Sequence, residues 1–129
     1  ILVCLLALLL PCLAVSHDFE VDGIYYNITS EEDNTVEVTF PADKKDFYKD
    51  VVFIPEEVNY DGKEYTVTAI GESAFQYNYE LLSIVMPNTI RSIKEFAFNG
   101  CISLKSLTIS SALSLLPLIA NVAILMLLL

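Results

Sequence analysis

Apolar positions along this chain fall into distinct patterns. Residues 1–15 and 112–129 are almost wholly apolar and contain no Asp, Glu, Lys or Arg, so all charge lies between Asp18 and Lys105. Inside the charged span the apolar residues recur. Residues 67–87 align with residues 90–110 at one constant offset of 23, which pairs Ile70 with Ile93, Ala74 with Ala97, Phe75 with Phe98, Leu81 with Leu104, Ile84 with Leu107 and Met86 with Ile109. So many core-type pairs at a single offset mark an internal repeat rather than a coincidence within one apolar segment.

The spacing inside one unit predicts its shape. Leu81, Ile84 and Met86 fit a short strand in which 84 and 86 point inward, with Leu81 entering from the preceding turn. Pro87 then ends the strand, because it cannot donate to a ladder. On the opposite side the Ala74-Phe75 pair predicts a single helical turn, with Ala against the neighbouring coil and Phe inserted between coils. Each unit buries its apolar face only against the next, which predicts a solenoid with a stacked parallel sheet. A period of 23 lies within the roughly 20–29 residues of leucine-rich repeats.

Upstream, Val51-Val-Phe-Ile-Pro55 reads as an earlier partial unit, since its Ile54-Pro55 ending parallels Met86-Pro87. Tyr60-Asp-Gly-Lys-Glu-Tyr-Thr-Val67 reads as two strands around an Asp61-Gly62 hairpin turn, and Asp22-Gly23 is a second such turn. Residues 24–29 and 35–40 predict a hairpin closed through 30–34. The expected class is thus an α/β-type solenoid, mainly β: a short leucine-rich repeat array of period 23 with a β-hairpin N-terminal cap. The expected organisation is a signal peptide at 1–16, an acidic β-rich cap with a partial repeat at 17–64, leucine-rich repeats at 65–110 and a hydrophobic tail at 111–129.

Charge and the two ends sharpen this picture. The net charge is −10, and residues 18–64 carry all of it, with 14 acids against Lys44, Lys45, Lys49 and Lys63. A nucleic-acid partner is excluded, because phosphate binding needs clustered positive charge. The apolar run of 1–10, followed by Ala14-Val15-Ser16, has the small-x-small pattern read by signal peptidase before His17. A buried N-terminal helix would instead show a polar face. Lipidation at Cys12 fits poorly behind Leu9, Leu10 and Pro11. Once 1–16 is removed Cys101 alone remains, so no intramolecular disulfide forms, and its apolar surroundings suit a small buried filler rather than a reactive thiol. Residues 112–129 match the shortest transmembrane helices in length. Pro117 and Asn121 interrupt them and no Lys or Arg follows, which leaves two readings: membrane attachment through 112–129, or a gene-model artefact.

Chemistry is sparse. His17 is the only histidine, so there is no Cys/His or Ser/His/Asp set and no enzyme is expected. The acidic pairs Glu56-Glu57 and Glu31 to Asp33 read as solvated surface, no EF-hand spacing is present, and neither metal nor cofactor is expected. Asn27-Ile28-Thr29 is a glycosylation sequon, which matters only in a eukaryotic source. The seven tyrosines are potential recognition groups wherever they are exposed.

The segments Ile70-Gly-Glu-Ser-Ala-Phe75 and Ile93-Lys-Glu-Phe-Ala-Phe-Asn-Gly-Cys-Ile-Ser-Leu104 follow an I-G-x-x-A-F-x-x-C-x-x-L unit, and Ile54-Pro and Met86-Pro-Asn-Thr-Ile90 follow an I-P-x-x-V join. In these residues, and in Asp18-Phe-Glu-Val-Asp-Gly-Ile-Tyr-Tyr-Asn-Ile28, the chain resembles the BspA-like leucine-rich repeat proteins, found on the surface of Bacteroidales bacteria and in some mucosal protozoa. The resemblance covers residues 18–110. It departs at Lys94, where Gly is usual, at Asn78, where Cys is usual, and after Ile109. It implies a secreted or cell-surface protein that binds host or neighbouring-cell surface proteins or glycans without catalysis. By the strand pattern Ser83, Val85, Lys105 or Ser106, and Thr108 lie on the exposed sheet face and form the candidate partner-binding face. The alternative is a passive structural or capping fragment of a longer surface protein.

Overall fold

In each Asp-Gly pair both residues have positive φ: 52° and 79° at Asp22-Gly23, 51° and 76° at Asp61-Gly62. Two successive left-handed residues make the tight turn whose twist matches paired strands, and Asp and Gly tolerate that conformation best. These turns join β1 (Phe19–Val21) to β2 (Ile24–Ser30) and β5 (Glu57–Tyr60) to β6 (Lys63–Ile70). The remaining strands are β3 (Thr35–Thr39), β4 (Asp50–Phe53), β7 (Leu81–Met86), β8 (Ser92–Ile93) and β9 (Ser106–Ile109). The computed structural model describes residues 17–42 and 48–109. The signal peptide and apolar tail expected from the sequence lie outside these residues. No helix among the described residues is long and apolar enough to cross a membrane.

The strands form two sheets. One has the order β1-β2-β3-β6-β5 with β8 also on β6, and the other is the parallel set β4-β7-β9. Each pass of the chain gives one strand to each sheet: β3 then β4, β6 then β7, β8 then β9. Partners in β7 and β9 stand 23 residues apart, as at Ser83 and Ser106. The first interval is wider, because Val38 pairs with Ile70 and Val52 with Ile84. The extra length is the β5 strand and its turn, which fold back antiparallel on β6 and have no counterpart in the next pass.

The helical turn expected at Ala74-Phe75 is absent. No helix occurs among the described residues, so the class is mainly β without the α contribution. The backbone hydrogen bonds explain the difference. Ala74, Gln76 and Asn78 donate locally to Gly71, Ser73 and Phe75, whereas the intervening Ser73, Phe75 and Tyr77 donate to Glu95, Ala97 and Asn99 of the next pass at 2.8 to 3.0 Å. A helix would turn every amide to its own i−4 carbonyl and leave none for the neighbour. Ser73 and Tyr77 adopt positive φ (57° and 59°) to produce this alternation. Leu81 follows the turn at Tyr79-Glu80, its amide donating to the Asn78 carbonyl at 3.4 Å, and also opens β7 opposite Asp50. Leu82 is left over as a bulge before Val51 pairs with Ser83, so Leu81 and Ile84 both face the core.

The core runs from Phe19 through Tyr26, Val36, Val67, Phe75 and Ile84 to Phe98. An aromatic stack ties its passes together, with Tyr48 4.7 Å from Phe75 and Phe75 5.4 Å from Phe98, the latter pair nearly parallel at 12°. Tyr48 also donates its hydroxyl proton to the Thr39 carbonyl (2.6 Å) and accepts the Tyr25 amide (3.0 Å), which bridges β2 and β3 to the start of β4. Truncating the stack leaves a cavity in addition to the lost transfer energy. Phe98→Ala is therefore expected to cost about 3–5 kcal/mol in urea denaturation, whereas Ile102→Ala, at an exposed site, should stay within about 0.5 kcal/mol. Equal losses would show that the stack does not hold the passes together.

Candidate binding face

The β4-β7-β9 sheet alternates as its period of two requires. Val52, Ile84 and Met86 point into the core, and the residues between them point out. Register places the outward residues in two rows, Val51 with Ser83 and Ser106, and Phe53 with Val85 and Thr108. Four of the sequence-predicted residues, Ser83, Val85, Ser106 and Thr108, thus fall together on one surface. The Ser83 and Ser106 hydroxyls hydrogen-bond at 2.6 Å, which fixes the spacing of that row. Lys105 sits one step outside the rows. It is exposed, and its amide donates to the carbonyl of the bulged Leu82 at 2.8 Å.

The largest apolar groups of this face were missed by the sequence reading. Phe53 is 69% and Val51 45% exposed, and they head the two rows. The signal was present: matching Ile54-Pro55 to Met86-Pro87 places 53 opposite 85 and 51 opposite 83. The face therefore combines a polar serine row with an apolar row and carries Lys105 at its margin. That mixture suits a partner surface that presents both hydrogen-bonding and apolar groups.

The groups capable of chemistry elsewhere serve the fold. Burial pushes the Cys101 thiol up to about 11, and it donates to the Phe75 carbonyl at 2.9 Å. Burial likewise raises the Tyr26 and Tyr48 phenols well above their ordinary value. Lys63 donates to the Glu31 carboxylate and holds its carboxyl below the usual range, with Tyr65 also in reach at 3.3 Å. Lys94 reaches across β6 to pair with Glu37 of β3. His17 stands edge-on to Tyr25 with ring centres 4.8 Å apart. Among the described residues no three His, Cys, Asp or Glu side chains gather to hold a metal ion.

The family model described as BspA type leucine rich repeat region (6 copies) matches residues 63–118. Among solved structures, a leucine-rich repeat protein from Bacteroides ovatus ATCC 8483 aligns with 70% of this chain at 40% identity and a TM-score of 0.63. A leucine rich cell surface protein from Faecalibacterium prausnitzii A2-165 aligns with 72% at 29% identity and 0.59. A leucine-rich repeat protein from Bacteroides capillosus ATCC 29799 aligns with 71%, also at 29% identity and 0.59. This chain spans 23%, 23% and 64% of those three proteins, respectively. No curated protein matches it.

The raised thiol gives a pH prediction. The native state holds the Cys101 proton more tightly than the unfolded chain, so the associated stability is complete below the ordinary thiol pKa of about 9 and is lost as pH rises through about 11. Urea denaturation is expected to show stability falling over this window, with a shallower fall in Cys101→Ala. Alkylation of the Cys101 peptide, read by mass spectrometry at pH 8, should be slow in the native protein and fast in urea. Fast native alkylation would place the thiol at the surface.

Proposed function

Residues 63–118 belong to the BspA-type leucine-rich repeats, and on that premise we propose that this chain is a non-enzymatic recognition protein that binds through the outer face of β4, β7 and β9. We read its successive passes as a short solenoid of 23-residue period, with the β1-β2-β3 hairpins capping its first turn. The observation that carries the binding reading is the pair of rows across the sheet, in which Phe53 and Val51 stand exposed beside Val85, Thr108 and a hydrogen-bonded serine pair. A sheet that only covered a core has no need of exposed large apolar groups aligned across its strands. Export to the cell surface and adhesion to host or neighbouring-cell proteins or glycans complete the proposal. The similarity to a protein described as a cell surface protein supports it, as does the strongly acidic first half of the chain, which favours solubility.

The test is binding of the purified chain to a panel of immobilised extracellular-matrix proteins and to a glycan array. Saturable binding to at least one member is expected. The double variant Val85→Lys with Thr108→Lys, which places two charges in the apolar row, should weaken it by at least about tenfold, the equivalent of roughly 1.4 kcal/mol. Unchanged binding by the double variant would remove the face from consideration. A wild-type chain that binds nothing would favour a passive capping module of a longer surface protein.

A further inference from the structure

Among the described residues β4 is an edge strand, since its sheet runs β4-β7-β9. The Asp50 and Ile54 amides donate to the Glu80 and Val85 carbonyls of the β7 side at 3.0 and 2.9 Å. Alternate residues of an extended strand turn their N–H and C=O groups to opposite edges, so Val51 and Phe53 aim theirs away from β7. Sheets blunt such edges with proline, charge or a covering loop. Val51-Val52-Phe53 contains neither proline nor charge, and among the described residues no strand pairs with its outer edge. Two grooves of about 330 and 390 Å³ follow this strand, one against Lys49, Val51 and Val52 and the other against Phe53, Pro55 and Val58. The β1-β2 turn forms the far wall of both, and Asp22 and Ile24 line the two alike. Each groove is within the roughly 300–1,000 Å³ range of sites that hold small ligands or short peptides.

Charge selects the occupant. Asp22 lies in both grooves, Glu57 lines the second, and Asp50, which opens the strand, and Glu56, which follows it, are both exposed. Among the described residues the one cation lining either groove is Lys49, which is paired with Glu80 at 3.1 Å. We propose that the β4 edge receives an extended basic peptide as an added strand, its backbone pairing with Val51 and Phe53 and its cationic side chains lying against Asp22 and Glu57. Backbone pairing supplies affinity, and the side chains that alternate along the added strand supply selectivity. The edge would use the backbone of Val51 and Phe53 and the face their side chains with those of Val85 and Thr108, so the N-methylated peptide, which tests backbone pairing alone, separates the two readings.

The probe is a fluorescein-labelled, end-blocked (Val-Lys)₃ peptide titrated with the full chain and read by fluorescence anisotropy. Saturable binding that weakens with added salt is expected. The same peptide with alternate amides N-methylated should not bind, because it cannot pair as a strand, and neither should the (Val-Glu)₃ counterpart. Phe53→Pro removes an N–H that no strand of this sheet uses, and proline is tolerated on an edge, so that variant should fold and lose binding. Phe53→Ala keeps the N–H and should retain binding with reduced affinity. Asp22→Asn preserves the left-handed turn and should weaken binding about two- to fivefold, as an exposed ion pair would. No binding of the parent peptide, equal binding of the N-methylated or Glu peptide, or equal binding by Phe53→Pro and Phe53→Ala would each overturn the proposal. Because the N-methylated comparison needs only the wild-type chain, it decides the matter even if Phe53→Pro is unstable.

Discussion

The structure depends on how the backbone amides of each pass are shared with the next. In the turn at residues 73–78, every second amide closes a local turn and every other one donates across to residues 95–99. The two sheets repeat this sharing at their own strands, so each pass is complete only when a neighbour lies against it. The requirement explains why Ser73 and Tyr77 accept left-handed backbone, and why the side chains enclosed between passes are the small Ala74 and Ala97 and the flat, stacking Phe75 and Phe98. It also explains two glycines. A Cβ at Gly71 would lie 2.8 Å from the Val38 carbonyl, the very group to which the Gly71 amide donates, and a Cβ at Gly100 would strike the Tyr77 ring of the preceding pass.

Two departures from the repeat acquire a physical meaning in this frame. Lys94 occupies the position equivalent to Gly71, where the chain is no longer crowded by β3, and its side chain extends to Glu37. Asn78 occupies the position equivalent to Cys101. Both are buried, but the Cys101 thiol finds the Phe75 carbonyl, while the Asn78 side-chain oxygen has no hydrogen-bond partner among the described residues.

The candidate face follows from the same stacking. Parallel strands in register bring residues of equivalent position into rows, so one outward position in a unit becomes a line of side chains across the sheet. Ser83 and Ser106 form a hydrogen-bonded rung for that reason, and Phe53, Val85 and Thr108 form the apolar rung beside them. At the β4 end the row meets a strand edge faced by the β1-β2 turn, so a face and an edge with different chemistry lie side by side.

The sequence by itself determined what depends on local pattern. The alternation that turns Ile84 and Met86 inward and Ser83 and Val85 outward, and the two Asp-Gly turns, were legible, because strand period and turn geometry are set by neighbouring residues. The partial unit at Val51 to Pro55 was legible too, although its outward Val51 and Phe53 were not carried over to the face. Tertiary structure alone decided the rest. It replaced the expected helical turn with shared amides, extended the strand back to Leu81 through the Leu82 bulge, widened the first interval by folding β5 onto β6, and left β4 at an edge. Each of these outcomes turns on which distant backbone group satisfies a given N–H or C=O, and that choice depends on the packing of whole passes rather than on the residues adjacent in the chain.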